Sequence, residues 1–279
     1  MRLVLCGVRG STPAPGLDYV RYGGNTSCVA VAHPGEPPRL LLDGGTGLSR
    51  VSSLLDGAAF EGTILLSHLH WDHTHGLPFF PAADRPDSSV TLLLPEQPGQ
   101  PQDLLATVLS PPHFPIRPCE LGGRWRFRAL AEGDHDIEGF TVTAREIPHK
   151  GGRTFGFRVS DGASTVAYLP DHSPLVLGAG PHGLGEYHEA AVALARDADV
   201  LLHDGQHTAA ELPAVVHLGH SAVEYAIGLA RAAGAARLVP FHHDPARTDA
   251  DIDRIVAAHE HCGVKVEAAA ETTVIEVRQ

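Results

Sequence analysis

Between residues 63 and 73 a short apolar run, Thr63 to Leu66, is followed at once by Ser67-His68-Leu69-His70-Trp71-Asp72-His73, which places four potential metal ligands within six residues. This segment constrains the chain more than any other. The apolar run reads as a buried strand, and in an extended segment residues i and i+2 point to the same side. His68 and His70 can therefore grip one cation while a turn aims Asp72 and His73 elsewhere. Two adjacent metal sites follow. A histidine-rich polar turn is the bland alternative in a chain with 19 histidines, but four ligands of suitable type rarely converge so closely without a metal to hold.

The rest of the sequence places this segment in a sheet-dominated α/β chain. Short β-branched or leucine-rich runs alternate with Gly and Pro turns. Strands are expected at Arg2 to Cys6, Cys28 to Ala32, Leu40 to Asp43, Thr63 to Ser67, Val90 to Leu94, Phe140 to Glu146, Phe155 to Ser160, Thr165 to Leu169, Val200 to His203, Arg237 to Phe241 and Thr273 to Val277. Helical periodicity is clearest after His220, where Ala222, Ala226, Leu229 and Ala230 share a face ahead of Gly234, and again from Ala250 to Ala258. The proline-rich segments Pro95 to Pro101 and Ser110 to Pro118 are too short for linkers. A single domain over residues 1–279 is expected, since that length can bury a sizeable core.

Composition removes several function classes. No apolar stretch approaches the roughly 20 residues that cross a bilayer, and the N-terminus lacks the long apolar region of a signal peptide, so a cytoplasmic protein is expected. Cys6, Cys28, Cys119 and Cys262 are scattered, which fits buried free thiols better than a zinc ribbon or disulfide framework. A formal charge of −12 with only two lysines, Lys150 and Lys265, argues against affinity built on many phosphate contacts. No extended nucleic-acid surface is expected; a small anionic substrate stays open, and nothing opposes a homo-oligomer. Histidine, the commonest metal ligand and the usual acid/base near neutral pH, should carry the function.

The segment His68-Leu69-His70-Trp71-Asp72-His73 resembles the H-x-H-x-D-H signature of the metallo-β-lactamase superfamily, and further motifs stand in the family's order across nearly the whole chain. These are Pro148-His149-Lys150-Gly151-Gly152, Leu169-Pro170-Asp171-His172 and Val239-Pro240-Phe241-His242-His243-Asp244-Pro245. The resemblance implies a four-layer αββα sandwich with the site at one edge. It implies that His68, His70 and His149 hold one metal and Asp72, His73 and His242 the other, with the Asp171 carboxylate bridging. Taken alone, His149 would read as an exposed turn residue and Asp171 as a turn or cap residue. His242 and His243 point in opposite directions at a strand end, so only one reaches the metals. His242 is favoured, with His243 orienting Asp244 or facing solvent.

Leu218-Gly219-His220-Ser221-Ala222 resembles the G-H-S-T segment of the ribonuclease Z-like and phosphodiesterase branch, with Ala222 in place of threonine. Gly7 to Ser11, Tyr22 to Ser27 and Asp43 to Gly47 also resemble that branch. Such Gly-rich segments serve either as tight turns or for substrate contact by Arg9 and Asn25. His75 and His172 read as supporting or exposed residues, His203 and Asp204 as hydrogen-bonding support for the site, and His207, His217, His259 and His261 as surface residues.

Hydrolysis by a metal-bridged hydroxide fits this ligand set. Asp72 would orient or deprotonate the water, and His220 would protonate the leaving oxygen. Zinc is the first choice for two divalent ions among nitrogen-rich ligands, with manganese or iron allowed. The expected substrate is a cyclic or short nucleotide, or a related small phosphodiester. The short Pro111 to Pro115 region is the only candidate for the long arm with which ribonuclease Z enzymes grip transfer RNA. Two alternatives from other classes are an iron-dependent thiol or persulfide oxidoreductase of the same fold and a non-catalytic ligand-sensing module.

Overall fold

The computed structural model describes residues 1–180 and 182–277. Its strands form two seven-stranded sheets. The first runs in the order β14 (Val274–Glu276), β1 (Arg2–Gly7), β2 (Cys28–Ala32), β3 (Leu40–Leu42), β4 (Glu61–Leu65), β5 (Ser89–Pro95), β6 (Arg124–Leu130). The second runs β13 (Lys265–Val266), β12 (Arg237–Phe241), β11 (Val200–Asp204), β10 (Thr165–Leu169), β9 (Phe155–Ser160), β8 (Phe140–Glu146), β7 (Gly133–Ile137). Each sheet is antiparallel over one half and parallel over the other.

Period-2 alternation explains the layering. In β1, Leu3 and Leu5 point into the core between the sheets with Val29, Leu42, Phe157, Tyr168 and Phe241, while Val4 and Cys6 face the opposite way. That opposite face is covered by α1 (Leu48–Val51) and, beside β6, by α3 (Pro101–Ala106), through Leu48, Val51 and Leu105. The outer face of the second sheet carries α4 (Glu189–Ala195) and α6 (Val223–Ala233), which seat Leu194, Tyr225, Ala226 and Leu229 on Ala167, Leu169 and Leu201. Both faces of the central strands are therefore apolar, as sheets covered on both sides require. The architecture is the expected αββα sandwich.

All eleven expected strands form, and both expected helices appear as α6 and α7 (Asp249–Ala258). Gly234 caps α6 in the left-handed conformation, and a Thr248/Asp251 capping box opens α7. Three strands were not anticipated. Arg-Trp-Arg-Phe-Arg in β6 does alternate, with Trp125 and Phe127 packing inward and the arginines outward, the composition of a protected edge strand. β7 is an edge strand almost without apolar residues, and β13 is two residues long. The thiol expectation needs correction: Cys6 and Cys28 are buried, but Cys119 is exposed and Cys262 half-buried. Among the described residues, no helix is long and apolar enough to cross a membrane.

Candidate metal centre

The polar residues gather at the ends of β4, β10, β11 and β12, where the two sheets' parallel halves meet. After β4, Ser67 donates its backbone N–H to Asp43 Oδ1 at 2.7 Å and its hydroxyl to Asp43 Oδ2 at 2.9 Å, which anchors the turn. His70 then stands at the N-terminus of α2 (Trp71–Thr74), a single helical turn that swings Asp72 and His73 away from His68 and His70. This is the change of direction that the spacing of the segment requires.

The ligating atoms of His68, His70, His149 and Asp171 lie within 4.8 Å of one another, as do those of Asp72, His73 and His242. Asp171 at the end of β10 joins the two groups. Its Oδ2 faces His68 Nε2 at 3.7 Å and His149 Nε2 at 3.4 Å, while its Oδ1 faces His73 Nε2 at 3.0 Å and His242 Nε2 at 3.2 Å. Asp72 Oδ2 is 3.0 Å from His242 Nε2 and accepts the Ser11 N–H at 2.6 Å.

These residues fit a pair of cations. His68 Nε2 and Asp171 Oδ1 are buried and make no hydrogen bond. Imidazole nitrogens face each other at 3.3 Å (His70 Nδ1, His149 Nε2) and 3.4 Å (His73 Nε2, His242 Nε2). Two nitrogens about 2.0–2.1 Å from one tetrahedral ion stand roughly 3.3–3.4 Å apart, so both pairs have the spacing of a coordination edge. The electrostatics are those of a tightly packed His/Asp cluster. Burial pushes His68 well below its ordinary range. Burial also opposes ionisation of Asp171, but His242, His73 and His68 outweigh it and hold the carboxyl well below the usual range.

Supporting contacts fix which nitrogen faces inward. His73 Nδ1 lies 2.7 Å from Asp43 Oδ2, which also accepts the Tyr168 hydroxyl at 2.8 Å, so Nε2 is the atom aimed at the centre. His149 Nδ1 donates to the Gly219 carbonyl at 2.8 Å. Gly219 has φ 93°, and a Cβ there would stand 2.7 Å from Lys150 Cβ, which explains the glycine before His220. Sequence reasoning read Asp43 only as part of a Gly-rich turn and missed Tyr168. The signal for Asp43 was present, since an acidic residue before two glycines at a strand end suits its observed φ of 61°.

His220 opens toward the same centre from the segment ahead of α6. Its Nδ1 lies 3.0 Å from Asp204 Oδ2 and 3.8 Å from Asp171 Oδ2. Burial works against its charge, yet Asp204, Asp171 and Asp72 push it up to about 9. The Asp204 carboxylate also accepts the backbone N–H groups of His172 and Gln206, at 3.1 and 3.0 Å, so it is fixed on several sides. His203 is buried and bonds to the Asp204 carbonyl at 2.9 Å and to His172 Nδ1 at 3.0 Å, supporting the segment without reaching the centre.

His242 is the neighbour that turns inward. Its φ of 60° ends β12 with a kink, and Gly10 sits where a Cβ would meet His242 Nδ1 at 2.3 Å. His243 neither orients Asp244 nor faces solvent: it is buried, and its Nε2 lies 2.9 Å from the Ala269 carbonyl. Replacing His242 by Ala should thus deplete metal and activity, while His243→Ala should leave most of both. The reverse pattern in metal content per chain would overturn the assignment.

Arg9 and Asn25 are both engaged in contacts within the protein. Arg9 is fully buried and donates to the carbonyls of Gly23, Asp244 and Arg247, and Asn25 donates to Glu271. The Gly-rich segments therefore serve as turns stitched together by these side chains. His207 is also corrected: it is buried beneath the start of α6, where its backbone bridges Ser221 and Val223. His75 is exposed and His172 buried, and neither joins a ligand group.

Above the centre opens a cavity of about 440 Å3 whose wall includes Ser11, Leu69, Trp71, Leu218 and His220. Among the described residues no lysine or arginine lines it.

Two mixed sheets packed face to face, with helices outside and a His/Asp centre at the strand ends, define the metallo-β-lactamase fold. The chain belongs to the family described as the beta-lactamase superfamily domain, whose model matches residues 39–243. It is similar to a ribonuclease Z of Salinibacter ruber, 28% identical over 84% of this chain and 85% of that one. Among solved structures it is similar to the metallo-β-lactamase fold protein YhfI from Bacillus subtilis (TM-score 0.70, 18% identity, 98% of each chain). The short form of human tRNase Z is similar too (TM-score 0.68, 21% identity, 100% of each chain).

Proposed function

We propose that this chain is a metal-dependent phosphodiesterase acting on a cyclic or short nucleotide or a related small phosphodiester. One observation carries the reading: the two oxygens of Asp171 each face a separate set of histidines, and His220, held by Asp204, stands beside both. His68, His70, His149 and Asp171 would hold one divalent ion and Asp72, His73, His242 and Asp171 the other. Zinc suits the nitrogen-rich set, with manganese and iron allowed. When bound, such ions supply a nucleophile from water at neutral pH and neutralise charge on a phosphoryl oxygen.

The chain's own residues do the rest. Asp72, fixed by the Ser11 N–H, orients or deprotonates the attacking water. His220 presents its outer nitrogen to the leaving oxygen and donates a proton, while Asp204 holds the ring and favours its charged form. Leu69, Trp71 and Leu218 supply the apolar part of the cavity wall. The similarity to ribonuclease Z supports phosphodiester chemistry. The acidic chain, with only two lysines, supports a small substrate over folded RNA. The second ligand set, Asp72, His73 and His242, speaks for two ions and against a single-iron oxidoreductase. We read residues 1–279 as one cytoplasmic unit.

The protein as isolated should contain two metal ions per chain by elemental analysis. Chelation should abolish hydrolysis of bis(p-nitrophenyl) phosphate, and zinc or manganese should restore it. A preparation holding one ion per chain, fully active and gaining nothing from added metal, would sink the dinuclear reading.

A further inference from the structure

Beside the metal-centre cavity lies a second one, of about 560 Å3, and Trp71 lines both. Its walls are largely apolar, built from Trp71, Phe79, Phe114, Val108 and Leu109. Trp71 and Phe79 are 61% and 62% exposed, an arrangement that marks a binding surface more than a folding need. The rings are nonetheless held in place. Trp71 stacks on His75 at 5.4 Å with 21° between planes, and Phe79 meets Phe114 edge-on at 5.8 Å. Trp71 sits between His70 and Asp72 in the chain, so its backbone is held beside the reacting centre.

Resting on the phosphodiesterase reading, we propose that this second cavity seats the nucleobase of the substrate, stacked against Trp71, while the phosphodiester lies over the His/Asp centre. The size falls in the usual range for a small-molecule site, about 300–1,000 Å3. Polar chemistry on the wall favours a base over an alkyl chain. Thr74 and Thr107 donate their hydroxyl protons to the carbonyls of His70, at 3.1 Å, and Leu104, at 2.6 Å. With their protons so committed, these hydroxyls keep only acceptor capacity, which suits the exocyclic amine of adenine or cytosine. No lysine or arginine among the described residues lines either cavity, and the second cavity offers only the imidazoles of His75 and His113 as basic groups, so most anionic charge has to be met at the centre. The ligand accordingly brings one phosphodiester and an uncharged flat end rather than a chain of phosphates.

Two esters with the same leaving group test this: adenosine 5′-(p-nitrophenyl) phosphate and methyl p-nitrophenyl phosphate. The adenosine ester should have the higher kcat/KM by about 10- to 100-fold, the scale of one base-aromatic stack, mainly through KM. Phe114→Ala and Phe79→Ala should reduce kcat/KM on the adenosine ester at least tenfold more than on the methyl ester, at unchanged metal content. Equal rates on the two esters, equal losses in the variants, or a stronger preference for an octyl ester would overturn the nucleobase assignment, while turnover itself would uphold the phosphodiesterase reading. If neither ester is hydrolysed, that reading falls and binding decides the inference. In a Trp125→Phe background, adenosine should quench Trp71 fluorescence saturably and lose that effect with Phe114→Ala. Absence of quenching would overturn the proposal.

Discussion

Replacing His220 by Ala should lower hydrolysis of a nucleotide diester on the order of 10²-fold or more, the usual scale of a positioned proton transfer. Bis(p-nitrophenyl) phosphate should lose far less, because its phenolate departs readily without a proton. The geometry supports this division of labour. His220 stands outside the two histidine groups that Asp171 joins, although its ligand atom also lies within 4.8 Å of those of Asp171 and His242; its Nδ1 is 3.0 Å from Asp204, which leaves one ring nitrogen for the substrate. It is nevertheless close enough to Asp171 and His242 for its loss to disturb the metals. Metal content must therefore be measured with the rates. Equal losses on both substrates at unchanged metal content would show that His220 acts through the fold or the metals and not as an acid.

Much of this centre could be read in the sequence because its chemistry is concentrated in short segments at strand ends. His68 to His73 follow an apolar strand directly, and Asp171 and His242 each come just after another, so strand periodicity placed the segments while the family resemblance singled out the candidate ligands within them. What stayed illegible depends on contacts between distant segments. Nothing local to Asp43 says that its carboxylate meets Ser67, His73 and Tyr168, which lie 24, 30 and 125 residues away. Arg9 shows the same limit in reverse. A lone arginine in a Gly-rich loop suggests a ligand contact, but here it is buried where backbone carbonyls from residues 23, 244 and 247 converge, and a buried cation needs such acceptors. His207 and His243 were misjudged for a related reason: each follows a strand whose end is roofed by a later element. β6 was missed although its alternation was visible, because its three arginines masked the apolar face formed by Trp125 and Phe127.

Substituting Asp171 by Asn should have the largest effect of all, since this one side chain faces both ligand groups. The amide keeps the volume but replaces one acceptor oxygen by a donor, so one of the two groups loses its anionic partner. Metal content should fall below two per chain, and kcat/KM on any phosphodiester should drop on the order of 10³-fold or more, because several kcal/mol of charge stabilisation disappear at about 1.4 kcal/mol per decade. Adding metal should not restore it. Asp43→Asn provides the contrast. Its carboxylate touches no site of the reacting centre directly but holds His73 by Nδ1 at 2.7 Å and anchors Ser67 and Tyr168, so its loss should weaken metal affinity about 10- to 100-fold, a deficit that excess metal repairs. Thermal unfolding separates both effects from misfolding. In the metal-free protein Asp171→Asn should lose some stability, because the histidines that hold its carboxyl well below the usual range lose their anionic partner. With metal added, Asp171→Asn should gain markedly less in Tm than the parent. A variant that retains two ions and full metal-dependent stabilisation would show that Asp171 does not bridge, and the two histidine groups would then have to be assigned separate roles.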